Sequence, residues 1–322
     1  MLALNYLRGV LACAVVALLP IGVHAEAPPV KTQAPGFYRM MVGDFEVTAL
    51  SDGTNPMQAA KLLSGEPGKI ADLLKESFLG DRVETSHNSY LVNTGKKLVL
   101  VDAGAGTLLG PQTGDLIRNL RAAGYRPEQV DEVYITHLHP DHVGGLVADG
   151  QRAFPQAIVR LDKRELEFWL SDANMRAAPE SMKRFFSGAR TSLKPYMAAG
   201  KVKPFEGSSE LVPGIRSQGL YGHTPGHAGF VVESNAQKLV LWGDVIHVAA
   251  VQFENPAITI SYDVDPGAAQ SERRRMLTDA ARNGYLVGGP HISFPGIGHV
   301  RDDGDGRFVF LPVVYTSLKL SQ

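Results

Sequence analysis

Apolar and polar positions along the chain change period several times, and the changes mark a succession of strands and helices. Residues 45–50 and 89–92 alternate or run apolar as strands, and 97–102 repeats the pattern. Helical spacing takes over at 111–123 and stops at Gly124, which suits a helix C-cap. A buried strand at 130–136 and another at 157–161 follow. Residues 162–170 and 179–199 read as helices, and 229–233 with 238–242 as a hairpin turning at Ser234-Asn235. A helix at 266–283 and a buried strand at 285–287 close the series. Strands alternating with helices in this way predict an α/β domain.

The first 25 residues break the pattern. Arg8 precedes an apolar run at 10–23, and Val23-His24-Ala25 offers the small residues that a signal peptidase reads. The run is short for a membrane span. The expected organisation is therefore a signal peptide at 1–25 and one hydrolase domain at 26–322, exported to a periplasm and without stable membrane association after processing. No Pro/Ser/Gly-rich linker divides the rest of the 322 residues. Cys13 is the one cysteine, so the processed chain has neither disulfides nor thiolate ligands. A hydrophobic content of 44% is ordinary for a domain with a sizeable core. A formal charge of −1 with scattered Lys and Arg argues against a nucleic-acid partner. Arg273-Arg274-Arg275, inside the last helix, reads as a solvated face.

The chemistry concentrates in Thr136-His137-Leu138-His139-Pro140-Asp141-His142-Val143-Gly144-Gly145. His137 and His139, two residues apart in an extended segment, point the same way and can grip one cation. Pro140 ends the extension, and Asp141-His142 start a turn or helix where they can face a second. Further donors lie on strand-to-loop edges bordered by Gly or Pro: His223 and His227 in Gly222-His223-Thr224-Pro225-Gly226-His227, Asp244 after Gly243, and His291 after Gly289-Pro290. Counting donors assigns His137, His139 and His223 to one metal and Asp141, His142 and His291 to the other. Asp244 bridges them, since a carboxylate has two oxygens and an imidazole one free nitrogen. An all-imidazole and carboxylate set suits two divalent ions, with Zn expected and Mn, Co or Fe accepted. Two such cations a few ångströms apart bind a water between them and lower its pKa from about 15.7 toward about 7, making a hydroxide that attacks an electrophilic carbon or phosphorus. No Gly-x-Ser-x-Gly elbow competes as a nucleophile. Asp141 and Asp244 are thus the candidate catalytic carboxylates, with Asp141 also able to relay a proton. His227 reads as structural, donating to backbone, and His87 and His299 as loop residues.

His-x-His-x-Asp-His, Gly-His-Thr-Pro-Gly-His, Gly-Asp and the late His together resemble the metallo-β-lactamase superfamily. Within it the chain is similar to the methyl parathion hydrolase and lactonase group. The similarity includes Pro35-Gly36-Phe37-Tyr38-Arg39-Met40, Tyr90-Leu91-Val92-Asn93-Thr94-Gly95, Ala249-Ala250-Val251-Gln252-Phe253 and Phe294-Pro295-Gly296-Ile297-Gly298-His299. It implies an αββα sandwich, two mixed β-sheets flanked by helices with the metals at one edge, and a homodimer. It also implies that Asp102, at a strand end, supports the ligands from behind. By the same resemblance Trp169, Phe185 and Phe186 line an aromatic cavity. Other pocket positions depart from the organophosphate-degrading members: Leu109 replaces Phe, His247 replaces Leu, Leu62 replaces Arg, and Ile260 and Tyr262 replace smaller or aliphatic residues. His247 can hydrogen-bond a carboxylate or phenolate, and Ile260 and Tyr262 narrow the space for a dialkoxy phosphotriester. The expected substrate is a small-molecule lactone or ester, an aryl lactone such as dihydrocoumarin foremost, with weaker phosphotriester hydrolysis. The alternative is an organophosphate hydrolase.

Overall fold

A computed structural model of the chain describes residues 27–318, and the predicted signal peptide lies outside them. Of these, residues 35–318 cluster as one unit. The first sheet has six strands in sequential order: β1 (Phe37–Val42), β2 (Phe45–Met57), β3 (Val83–Asn93), β4 (Leu98–Val101), β5 (Glu132–Tyr134) and β6 (Ile158–Arg160). Its first four strands are antiparallel, and β4, β5 and β6 run parallel. The second sheet has seven: β7 (Glu210–Val212), β8 (Ile215–Gly219), β9 (Ala228–Ser234), β10 (Gln237–Leu241), β11 (Leu286–Gly288), β12 (Ile297–Gly304) and β13 (Arg307–Pro312). Here β10 and β11 are the one parallel pair.

Period-two patterning explains why two sheets stack. In β4, Val99 and Val101 enter the core between the sheets, while Leu98 and Leu100 enter the core under the outer helices. In the second sheet Phe230, Val232, Leu239 and Leu241 face the first sheet. Val231 and Val240 turn the other way, onto Met276, Leu277 and Ala280 of helix Pro266–Asn283. Strands buried on both faces must be apolar throughout, which is the pattern at 98–101 and 239–241. Two mixed sheets with helices outside are the αββα sandwich expected from the sequence.

Three local expectations change. The helix expected at 111–123 starts only at Leu116, because the chain before it is pinned to Asp52: the carboxylate accepts from the backbone N–H groups of Ala105, Gly114 and Leu116 at 2.8, 3.1 and 3.1 Å. The hairpin between β9 and β10 turns at Asn235-Ala236, both at positive φ, with Ser234 paired to Gln237. Arg273 is not on a solvated face. It is 1% exposed and donates to the carbonyls of Val245, Pro256 and Ile258, tying the last helix to the loop after Asp244. Arg274 and Arg275 are exposed as expected.

Candidate metal centre

Strand ends of both sheets deliver the side chains. Strand β5 runs into Thr136-His137-Leu138-His139, and the short helix Pro140–Val143 presents Asp141 and His142. The loops after β8, β10 and β11 bring His223, Asp244 and His291. Gly222 and Gly243 sit just before two of these residues, and neither tolerates a side chain. A Cβ on Gly222, at φ +137°, would meet the Ala269 backbone nitrogen at 2.3 Å, and one on Gly243, at φ +56°, would meet His227 Nε2 at 2.4 Å.

The donors fall into three overlapping groups: His137, His139, His223 and Asp244 form the inner one, His142, Asp244 and His291 the outer one, and His87, Asp141 and His291 border the outer one. In the inner one, His223 Nε2 lies 3.1 Å from His139 Nδ1 and 3.3 Å from Asp244 Oδ2, and His137 Nε2 lies 3.5 Å from the same oxygen. In the outer one, His142 Nε2 and His291 Nε2 each lie 3.2 Å from Asp244 Oδ1, and stand 3.6 and 3.4 Å from Asp141 Oδ2. Four ligands held tetrahedrally at about 2.0–2.1 Å from a cation sit about 3.4 Å from one another. Buried His137 Nε2, His142 Nε2 and Asp244 Oδ1 have no hydrogen-bond partner among the described residues. Each such orphan costs on the order of 1–3 kcal/mol unless something meets it. Converging orphaned donors at ligand spacing fit two divalent cations.

Partners behind the ligands fix their orientation. His142 Nδ1 donates to Asp102 Oδ2 at 2.8 Å, and Asp102 also accepts from the Thr136 N–H and hydroxyl. Asp102 holds a left-handed backbone, φ 59°, to do so. His223 Nδ1 donates to Asp263 Oδ1 at 2.7 Å, and His291 Nδ1 to the Ser86 carbonyl at 2.9 Å. His227 is structural: its Nδ1 donates to the Leu220 carbonyl and its Nε2 accepts from the Asp244 N–H. Burial opposes charge on Asp244, but the imidazoles of His142, His291 and His137 outweigh it and hold the carboxyl well below its usual range. His223 is pushed up to about 9: burial favours the neutral ring, and Asp244 and Asp263 overcome it.

Beside the outer group opens a cavity of about 940 Å³, lined by Leu62, Leu109, Phe185, His247 and Tyr262 among the predicted pocket residues, with Asp141, His291 and Asp244 at its floor. His247 is 4% exposed, with Nε2 3.1 Å from Asp244 Oδ2. Three predicted pocket residues are elsewhere. Trp169 is fully buried behind His139, its indole N–H donating to Glu165 at 2.5 Å, and Phe186 packs on its far ring. Ile260 pairs with Leu63 in a two-stranded ladder, and its N–H holds the Asp263 carboxylate. All three act as core behind the ligands, because only one side of each helix or strand reaches the cavity.

Sequence reasoning missed three residues. Glu165, fully buried, accepts from the Leu138 and Gly226 N–H groups, the Thr224 hydroxyl and the Trp169 indole, which ties both histidine loops to helix Lys163–Trp169. Burial raises its pKa despite those four donors. Asp263 was hidden in a loop whose sequence carries no ligand motif. His87 is not a loop residue but lies on β3, buried, with Nδ1 3.4 Å from Asp141 Oδ2. His299 likewise sits on a strand, β12, exposed.

The chain belongs to the metallo-beta-lactamase superfamily, whose model matches residues 82–291. It is similar to the crystal structure of the hydrolase AbOPH, at 35% identity and TM-score 0.84 over 89% of this chain and 100% of that one. It is also similar to AidC, a dizinc quorum-quenching lactonase, at 27% identity and TM-score 0.81 over 88% of this chain and 99% of that one. An N-acyl homoserine lactonase from Bacillus sp is 26% identical over 221 residues, 66% of this chain and 79% of the relative.

Proposed function

We propose that the protein is a binuclear metal-dependent hydrolase that opens lactones, aryl lactones such as dihydrocoumarin foremost. The observation that carries the reading is the pair of donor groups sharing Asp244, which opens on a cavity whose walls mix apolar side chains such as Leu62, Leu109 and Phe185 with polar ones such as Gln58 and Arg184. Lactonases among its relatives support the substrate class. Divalent cations in these groups supply an acidified water and polarise the ester carbonyl.

The side chains do the rest. Asp244 turns one oxygen to each group, and its ionisation is secured by the surrounding imidazoles. Asp141, at 18% the most exposed ligand, reaches the cavity floor and stays ionised. Phe185, Leu62 and Leu109 shed water around an apolar ring, while the Tyr262 hydroxyl, kept neutral by burial, remains a proton donor. In the reaction a water oxygen adds to the acyl carbon and the ring C–O bond breaks. One proton passes to the departing oxygen and another leaves for solvent, so the product bears a hydroxyl and a carboxylate. His247 and Tyr262 face the space where that departing oxygen forms. The signal peptide would deliver the enzyme to a periplasm, where it would act as a homodimer.

One observation favours a second reading. Ile260 lies outside the cavity and narrows nothing, which leaves more room for a phosphotriester than the sequence predicted. The deciding experiment measures kcat/KM on dihydrocoumarin, an N-acyl homoserine lactone and methyl parathion, for the protein and for His247→Leu. The lactone reading expects a lactone preference of several orders of magnitude, reduced in the variant. Better turnover of methyl parathion by the unaltered protein would sink it.

A further inference from the structure

Outside the seven expected ligands, two buried histidines stand at the outer group: His247, beside Asp244, and His87, beside Asp141. His87, 4% exposed, leaves β3 toward the cavity floor. Its Nε2 lies 2.7 Å from Asn55 Oδ1, so that nitrogen carries the proton and donates. Nδ1 is then the bare nitrogen, and it has no hydrogen-bond partner. It faces Asp141 Oδ2 at 3.4 Å. His291 stands edge-on to it with ring centroids 5.3 Å apart, and because His291 Nδ1 donates to the Ser86 carbonyl, His291 Nε2 is bare as well. Donor atoms of His87, Asp141 and His291 all lie within 4.8 Å of one another.

A structural histidine looks different in this same molecule. His227 satisfies both ring nitrogens, one on the Leu220 carbonyl and one on the Asp244 N–H. His87 satisfies one and aims the other, with its lone pair, at a carboxylate oxygen and another imidazole lone pair. Three electron-rich atoms so placed repel one another unless a cation lies between them. An imidazole anchored through one nitrogen by an amide oxygen is also how ligating histidines are oriented.

We propose that His87 is a further metal ligand, donating through Nδ1 to the cation on the cavity side. The donors that converge on this cation are His87, Asp141 and His291, and His291 is shared with the group that holds His142 and Asp244. Asn55 is its positioning partner, reaching across from β2, where it pairs with Thr85 of β3. The assignment rests on the metal-centre reading above.

Metal-free full-length protein titrated with Co(II), followed by equilibrium dialysis and visible absorption, tests it without reference to turnover. The unaltered chain takes up two equivalents. His87→Val binds the first as before and the second about tenfold more weakly or worse, with an altered ligand-field band. His87→Gln, whose amide can donate to Asp141 but offers no imidazole, is expected to match the valine variant. If both variants bind the second equivalent with unchanged affinity and band, His87 is not a ligand. If glutamine alone restores binding, His87 is only a hydrogen-bond donor to Asp141, and the proposal also fails. Uptake of fewer than two equivalents by the unaltered chain would instead overturn the binuclear reading itself.

Discussion

The two donor groups differ in what stands behind them. Around the inner group His137, His139 and His223 are all at most 2% exposed. Glu165 pins the backbone of Leu138, between two of the ligands, and Asp263 grips the third. The outer group borders the cavity: Asp141 is 18% exposed and His291 is held only by a main-chain carbonyl. Its carboxylate braces, Asp52 on β2 and Asp102 just after β4, both belong to the first sheet. Asp102 holds His142 directly, and Asp52 holds the segment that follows Asp102. The inner group is thus built as a fixed seat and the outer one as the side that opens to the cavity. Burial restrains the one, and access to water and ligand is left to the other.

The sharpest way to break this division is to remove what the two groups share. Asp244→Ala takes an oxygen from each, and kcat/KM on a lactone is expected to fall by about 10³-fold or more, the scale of several kcal/mol that ion-bound charge stabilisation supplies. Metal analysis should show both sites weakened. A variant that keeps one cation at full affinity would mean Asp244 belongs to one group alone.

How far this site could be read from sequence depends on where each residue sits. His137 to His142 form a dense local motif, and His223, Asp244 and His291 follow strand ends marked by Gly or Pro, so the ligand set needed no tertiary information to propose. The α/β class followed from strands alternating with helices, and the sandwich was implied by the family resemblance that the histidine motif carries. Asp102 was expected from the resemblance, but Glu165, Asp263 and His87 were illegible for a physical reason: they act through partners far away in the sequence. Glu165 stands among charged neighbours in Lys163-Arg164-Glu165-Leu166-Glu167 and reads as a solvent-facing helix residue. Only folding reveals that it meets Thr224 and Gly226. His87 has its partner Asn55 32 residues away on another strand. Aromatics misled in the opposite direction, since Trp169 and Phe186 share the insert with Phe185 but point into the core.

Behind the inner group, Glu165→Leu should be the most costly substitution for folding. It leaves four donors facing an apolar side chain, and loss of about 4 kcal/mol in denaturant stability is expected. A loss under about 1 kcal/mol would show that Glu165 does not hold the histidine loops.

Asp52, under the outer side, offers a test by pH. Burial raises its pKa to about 6, although three backbone N–H groups favour its charge. The folded state therefore keeps the proton longer than the unfolded chain, whose value is 3.8. Its contribution is largest below the unfolded pKa and declines as pH rises through about 6. Relative to Asp52→Asn, which does not titrate, the unaltered protein should lose about 3 kcal/mol of stability between pH 3.5 and 7. Urea midpoints for both proteins across that range measure the difference. A constant gap between them would mean that folding leaves the Asp52 pKa unshifted.

The smallest effects separate the two groups most cleanly. Asp263 and Asp102 each accept a hydrogen bond from the far nitrogen of one imidazole, His223 in the inner group and His142 in the outer. Replacing either with Asn keeps the shape and an accepting oxygen but removes the charge that makes the imidazole a better donor. At Asp102, Asn also tolerates the left-handed backbone. Each substitution should weaken metal binding by about 10- to 100-fold. In a Co(II) titration Asp263→Asn should weaken the inner equivalent and Asp102→Asn the outer, leaving the other nearly unchanged. If both variants weaken the same equivalent, or both weaken the two alike, the groups are one electrostatic unit. The cavity-side cation would then owe its accessibility to Asp141 and His291 rather than to a separate set of braces.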